Sequence, residues 1–162
     1  VAGKSRVKRR SGCPVSISLE ILGDRWSLLI IRDLMVRGYR TFKEFRESEG
    51  IATNILADRL QKLATAGIVN AELEETDRRR LNYRLTEKGI DLAPVLLELL
   101  IWGARHEDTA APDDLVEKME QHKEQFLADV RRRWRERDPD PLLPKFKNKT
   151  HAKTNTGRKE MR

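Results

Sequence analysis

One cysteine, Cys13, stands among 162 residues, and it excludes an intrachain disulfide framework. The three histidines, His106, His122 and His151, have no ligand-like spacing, so neither a structural metal site nor a metal cofactor is expected. No apolar run reaches membrane-spanning length, and the bases at the N-terminus are not followed by the apolar stretch of a secretory signal. The expectation is cytoplasmic residence with no membrane partner. Phosphate loop, nucleophile elbow and metal-ligand motif are also missing, which argues against an enzyme. With 38% hydrophobic and 6% aromatic residues, the chain can bury one modest core and little more.

What the chain has in excess is positive charge, and its placement matters more than its sum. The net charge is +7, but residues 1–10 carry five bases (Lys4, Arg6, Lys8, Arg9, Arg10) and residues 142–162 carry seven against Glu160. The stretch between them is acidic overall, so any basic face in the body must come from local clustering. Residues 1–12 read as a basic arm. Residues 138–162 read as a basic disordered tail, because Pro139, Pro141 and Pro144 end the last periodic segment and little apolar content follows.

The segment DRWSLLIIRDLMVRG opens with a candidate cap, Asp24, and stops at Gly38, as a buried helix would. TFKEFRES gives a short helix capped by Thr41, with Phe42 and Phe45 inward. In IATNILADRLQKLATAGIV, Leu56, Leu60 and Leu63 recur at helical spacing up to Gly67. Opposite the leucines lie Asn54, Asp58, Gln61, Lys62 and Thr65, with Arg59 on one flank and Thr53 in the first turn. Such side chains suit base edges in a major groove. They equally suit a solvated face with an Asp58/Lys62 pair.

Two runs of period two follow. Val69, Ala71 and Leu73 alternate with polar neighbours, as do Leu81, Tyr83 and Leu85, which predicts a hairpin. Its tip, residues 76–80, holds Arg78, Arg79 and Arg80 beside the turn former Asp77. Edge protection or pairing with Glu72, Glu74 and Glu75 would account for arginines there. So would contact with phosphates or a minor groove, and two helices, a recognition-type helix and a basic-tipped hairpin make a winged helix-turn-helix. The fold class expected is therefore mainly α with a small β-hairpin wing (α+β).

In this order and spacing, CPVSISLEILGDRWSLLIIRDLM, RTFKEF, GIATNILADRLQKLATAGIV, YRLTEKG and LLIWGARH resemble the HxlR family of bacterial and archaeal transcriptional regulators. The resemblance covers residues 13–106. It implies a homodimer on double-stranded DNA, with residues 52–66 as recognition helix, 76–80 as wing and Arg40 leading into the supporting helix; two-fold symmetry then makes an imperfect palindrome the expected site, in the cytoplasm at the nucleoid. It also implies that terminal helices assemble the dimer, with Val15 and Leu19 on the first. VSISLEI alternates like a strand, but the resemblance, Pro14 and Gly23 favour a helix.

GIDLAPVLLELLIWGARH is apolar on more than one face. Leu96, Leu99, Leu100 and Trp102, with Leu92 and Val95, exceed what one core-facing stripe needs, and Pro94 marks a kink or a first turn. A second chain or deep burial would satisfy them. Residues 112–137 read as one amphipathic helix that packs on the domain, extends the dimer or brings a basic end to DNA. Cys13 sits at a helix start near Arg9 and Arg10, where its thiolate would be favoured, and some HxlR members sense oxidants or electrophiles through a cysteine here. The function expected is a sequence-specific, dimeric DNA-binding transcriptional regulator, with redox response through Cys13 a further expectation. The other reading is a winged-helix interaction module whose basic tails bind nucleic acid without sequence preference.

Overall fold

The computed structural model describes residues 9–74 and 77–146. Residues 1–8 and 147–162 of the basic arm and tail, and Glu75 and Thr76 of the wing, lie outside it. The VSISLEI segment is helical: α1 spans Pro14–Leu22, with the proline in the first turn, where its missing N–H costs nothing. The strand-like alternation falls on two helical faces. Val15 and Leu19 point to solvent, while Ile21 and Leu22 pack on the core.

The next helix, α2 (Arg25–Val36), begins at Asp24, whose carboxylate accepts from the Ser27 amide at 3.0 Å. Next, α3 (Phe42–Glu49) starts with a full capping box between Thr41 and Glu44. The third, α4 (Thr53–Thr65), has Ala52 at its N-cap and no side-chain cap. At its other end Lys88 Nζ donates to the Ala66 carbonyl, where the helix dipole favours a cation. Ile30, Ile31 and Leu34, Phe45, and Leu56, Leu60 and Leu63 from these helices form the centre of the core.

β1 (Val69–Leu73) and β2 (Leu81–Leu85) pair antiparallel, Val69 against Leu85 and Leu73 against Leu81. The root is buried at Val69 and Leu85, and the outer pair Leu73 and Leu81 is exposed. After β2, Thr86 caps α5 (Glu87–Ile90). Gly89 has to be glycine, since a Cβ there would stand 2.3 Å from the Ile68 carbonyl oxygen. Then α6 runs Ala93–His106 with Pro94 in its first turn rather than at a kink.

The C-terminal segment differs from the single helix expected. It breaks at His122 into α7 (Asp113–Gln121) and α8 (Lys123–Glu136). The break lets α8 reach the main core as well as the cluster that α7 covers. Val116 and Met119 of α7 join Leu97 and Ile101 of α6 in a second apolar cluster, while Val130 of α8 enters the main core. The chain beyond α8 is not loose as far as residue 146. Leu142 and Leu143 donate their amides to the Val36 carbonyl at 2.8 and 2.9 Å, and Leu143 is buried. Its prolines led the sequence reading to a tail, but two apolar side chains among them suffice to dock the segment. Gly38, at φ +72°, is also where the Pro139 carbonyl passes, 2.5 Å from where a Cβ would stand.

Candidate nucleic-acid interface

The leucine face of α4 is buried, which leaves Thr53, Asn54, Asp58, Gln61 and Lys62 exposed on the other side, as the spacing predicts. Asp58 pairs with Lys62 at 3.1 Å and with Arg59, and these partners hold its carboxyl below its ordinary pKa. Arg59 is placed differently from its neighbours. It is half-buried, and its Nε donates to Asp24 at 2.9 Å, so it clips α4 to the start of α2. Burial opposes ionisation of Asp24, but the Ser27 hydroxyl and amide and Arg59 outweigh it and hold the carboxyl below its ordinary pKa. Arg59 ties the helix to α2; Thr53, Asn54, Gln61 and Lys62 are exposed, Lys62 beside its Asp58 partner.

Arg40 is also turned inward. Its Nη1 donates to the Leu34 and Tyr39 carbonyls at 2.8 and 2.7 Å, and its own carbonyl accepts from the Tyr83 amide at 2.7 Å. It therefore ties the hairpin to the turn between α2 and α3. Phe45 meets the Tyr83 ring edge-on at 5.9 Å across the same junction.

At the tip, the Asp77 carbonyl accepts from the Arg80 amide at 2.9 Å, which closes the turn. The Asp77 carboxylate accepts from the Arg79 amide at 3.1 Å. Arg78, Arg79 and Arg80 all extend into solvent, the Arg79 side chain at 93% exposure. Glu72 does not serve the tip: it pairs with Arg137, 65 residues away, at 2.9 Å.

The residues expected at a dimer interface divide in two. Val15, Leu19, Leu99 and Trp102 are exposed, together with Val95, whereas Leu96 and Leu100 are half-buried against this chain's own apolar clusters. Val15 and Leu19 are four residues apart on α1; Val95, Leu99 and Trp102 follow at helical steps on α6. Cys13 is exposed at the start of α1. Arg9, close to it in sequence, pairs instead with Glu20 at 3.1 Å.

A model described as HxlR-like helix-turn-helix matches residues 21–111. The chain belongs to that family. It is 37% identical over 95 residues to the uncharacterised HTH-type transcriptional regulator Mb3122 of Mycobacterium bovis, spanning 59% of this chain and 60% of that protein's length. Among solved structures it is 41% identical to PA1607, a candidate transcription factor, with a TM-score of 0.59 over 65% of this chain and 71% of that one. It is 32% identical to the redox regulator HypR in its oxidized form, TM-score 0.54, covering 59% of this chain and 99% of that chain. Such neighbours agree with a winged helix-turn-helix. The HxlR match ends at residue 111, so α7, α8 and the segment to residue 146 are additions to it.

The additions supply what sequence reasoning missed. Trp134 Nε1 donates to the Leu85 carbonyl at 2.8 Å, and Arg84 Nη2 donates to the Trp134 carbonyl at 2.5 Å while its guanidinium lies 4.9 Å from the Trp134 ring centre. Nothing local in YRL or RRWRER signals that contact.

Proposed function

We propose that the chain is a dimeric, sequence-specific DNA-binding transcriptional regulator. The observation that carries this is an exposed polar face on α4, backed by buried leucines and followed by an arginine-tipped hairpin inside the HxlR match. Thr53, Asn54, Gln61 and Lys62 read base edges or phosphates from the major groove, and Arg78, Arg79 and Arg80 hold the backbone or minor groove. Dimerisation covers the apolar face of α1 and α6 and presents two recognition helices about one DNA turn apart, roughly 34 Å, to an imperfect palindrome. No helix among the described residues is long and apolar enough to cross a membrane. A protein working on DNA in the cytoplasm, at the nucleoid, fits that observation. Binding by the basic ends alone, without sequence preference, is the rival. It predicts that removing 1–8 and 147–162 abolishes binding, whereas the regulator keeps its preference for one site.

The direct experiment replaces Arg78, Arg79 and Arg80 with alanine and follows affinity against salt. Loss of three phosphate contacts lowers the slope of log K against log salt by up to about three and weakens binding to every sequence alike. An unchanged slope removes the wing from the interface.

Redox control through Cys13 is supported by the exposed thiol at the start of α1, beside the apolar face of that helix, and by the likeness to the redox regulator HypR. Peroxide converts the thiol to a sulfenic acid with release of water, and a small thiol then condenses with it to a mixed disulfide. Either product alters the α1 face. DNA affinity should respond to peroxide in wild type and not in Cys13→Ser; equal responses would assign the thiol a structural role.

A further inference from the structure

A cleft of about 610 Å³ opens beside the middle and outer part of the hairpin, lined by Arg40, Glu72, Glu74, Tyr83, Arg84 and Arg137 among others. Its three guanidiniums come from three parts of the chain: the turn before α3, strand β2, and the residue that ends α8. Arg137 has a carboxylate partner in Glu72. Arg40 and Arg84 are held otherwise, by the carbonyls of Leu34 and Tyr39 and by the carbonyl and ring of Trp134. No carboxylate among the described residues forms an ion pair with either guanidinium. Carbonyls and rings fix a guanidinium in place without cancelling its unit charge.

The electrostatics reflect that arrangement. Burial and then the charge of Arg84 pull the Arg40 pKa below its ordinary value, with Glu44 opposing; burial and then Arg137 do the same to Arg84, with Glu72 opposing. Arg40 and Arg84 are thus kept together at a half-buried site by contacts that form no ion pair with them, with Glu72 taken up by Arg137. An oxyanion would relieve the repulsion, and planar guanidinium forks match the geometry of phosphate oxygens.

We propose that this cleft is an oxyanion site for a phosphate group, carried by a free phosphorylated ligand or by the DNA backbone. When filled, it fastens the end of α8 and the turn before α3 to β2, so that occupancy stiffens the wing. Arg137 lies beyond the HxlR match, which makes the complete site a feature of this chain and its C-terminal addition. The site goes beyond the regulator reading, and its first test needs no DNA.

Thermal unfolding of the full chain in sodium phosphate is compared with sodium chloride at equal ionic strength, for wild type, Arg84→Gln, Arg137→Gln and the surface control Lys118→Gln. Each variant is its own reference, so a lower starting Tm does not obscure the result, and the exposed Arg137 provides a substitution that leaves the core intact. Phosphate should raise the Tm of wild type and Lys118→Gln above the chloride value. Arg84→Gln and Arg137→Gln should lose that rise, needing about tenfold more phosphate for the same effect, as loss of one charge-assisted hydrogen bond implies. That result assigns a free phosphate ligand. In the second arm, affinity for duplex DNA is followed against salt in a phosphate-free buffer. If free phosphate has no effect but either variant lowers the slope by about one, the oxyanion is a DNA phosphate. The proposal is overturned if phosphate acts equally on all four proteins, or if it acts on none and both slopes are unchanged.

Discussion

Replacing Trp134 measures how firmly the C-terminal addition is joined to the winged domain. Its half-buried ring packs on the main core, its Nε1 donates to the Leu85 carbonyl at 2.8 Å, and Arg84 lies over it at 4.9 Å. Truncating a core tryptophan to alanine costs about 3–5 kcal/mol, and the partial exposure of Trp134 places this case near about 3. Trp134→Phe keeps most of the apolar contact but leaves the Leu85 carbonyl without its indole donor. That loss costs about 1 kcal/mol, and the weaker cation–π contact with Arg84 adds roughly 0.5. The alanine variant should therefore lose about twice as much as the phenylalanine one. Urea unfolding followed by circular dichroism, at one fixed protein concentration because dimerisation would couple to stability, gives both values. Val130 of α8 sits in the main core, so one cooperative transition is expected, shifted to lower urea with unchanged m. A loss below about 1 kcal/mol for Trp134→Ala, or a separate early transition, would refute the joining of α8 to the domain.

Two further substitutions test the positions of Arg59 and the apolar face. Asp24→Ala removes the cap on the Ser27 amide and hydroxyl and the Arg59 clip, and should cost about 1–2 kcal/mol at neutral pH. Because the folded pKa of Asp24 is depressed, its contribution is present above the unfolded value and lost as pH falls through the folded one. The gap between wild type and variant should close in acid, and a pH-independent gap would contradict the assignment. Leu99→Glu places a charge on the exposed face of α6, where burial in a partner would stabilise each leucine by about 1.5–3 kcal/mol. Sedimentation should show a shift from dimer to monomer with the helical content retained, and an unchanged sedimentation profile would move the interface elsewhere.

Local chemistry made the elements legible in the sequence. Asp24 and Thr41 as caps, Gly38 and Gly67 as stops, and the Leu56, Leu60 and Leu63 stripe all depend on neighbours within a turn or two, and the structure has them in those roles. The exposed α4 face and the wing-tip arginines followed from the same periodicities. What the sequence did not show depends on distant partners. Arg59 looked like a flank of the polar face until Asp24, 35 residues earlier, drew it inward. Arg40 leads into α3 as the resemblance implies, but its Nη1 contacts to the Leu34 and Tyr39 carbonyls have no signal in the sequence. The break at His122 is invisible to an amphipathic pattern, because it goes with tertiary packing: α7 joins the second cluster, while α8 packs on both that cluster and the main core.

The central claim is that α4 reads sequence. The direct measurement is the ratio of affinities for a duplex selected from a random pool by the wild-type chain and for unselected duplex, at one fixed salt concentration, compared between wild type and Asn54→Ala/Gln61→Ala. Both residues are exposed, so the variant should fold as wild type does. Each lost base contact should cost about 1–3 kcal/mol on the selected site and much less on unselected DNA, so the ratio should fall by at least about tenfold. Equal losses on both duplexes, or selection that yields no enriched sequence, would contradict sequence reading by α4.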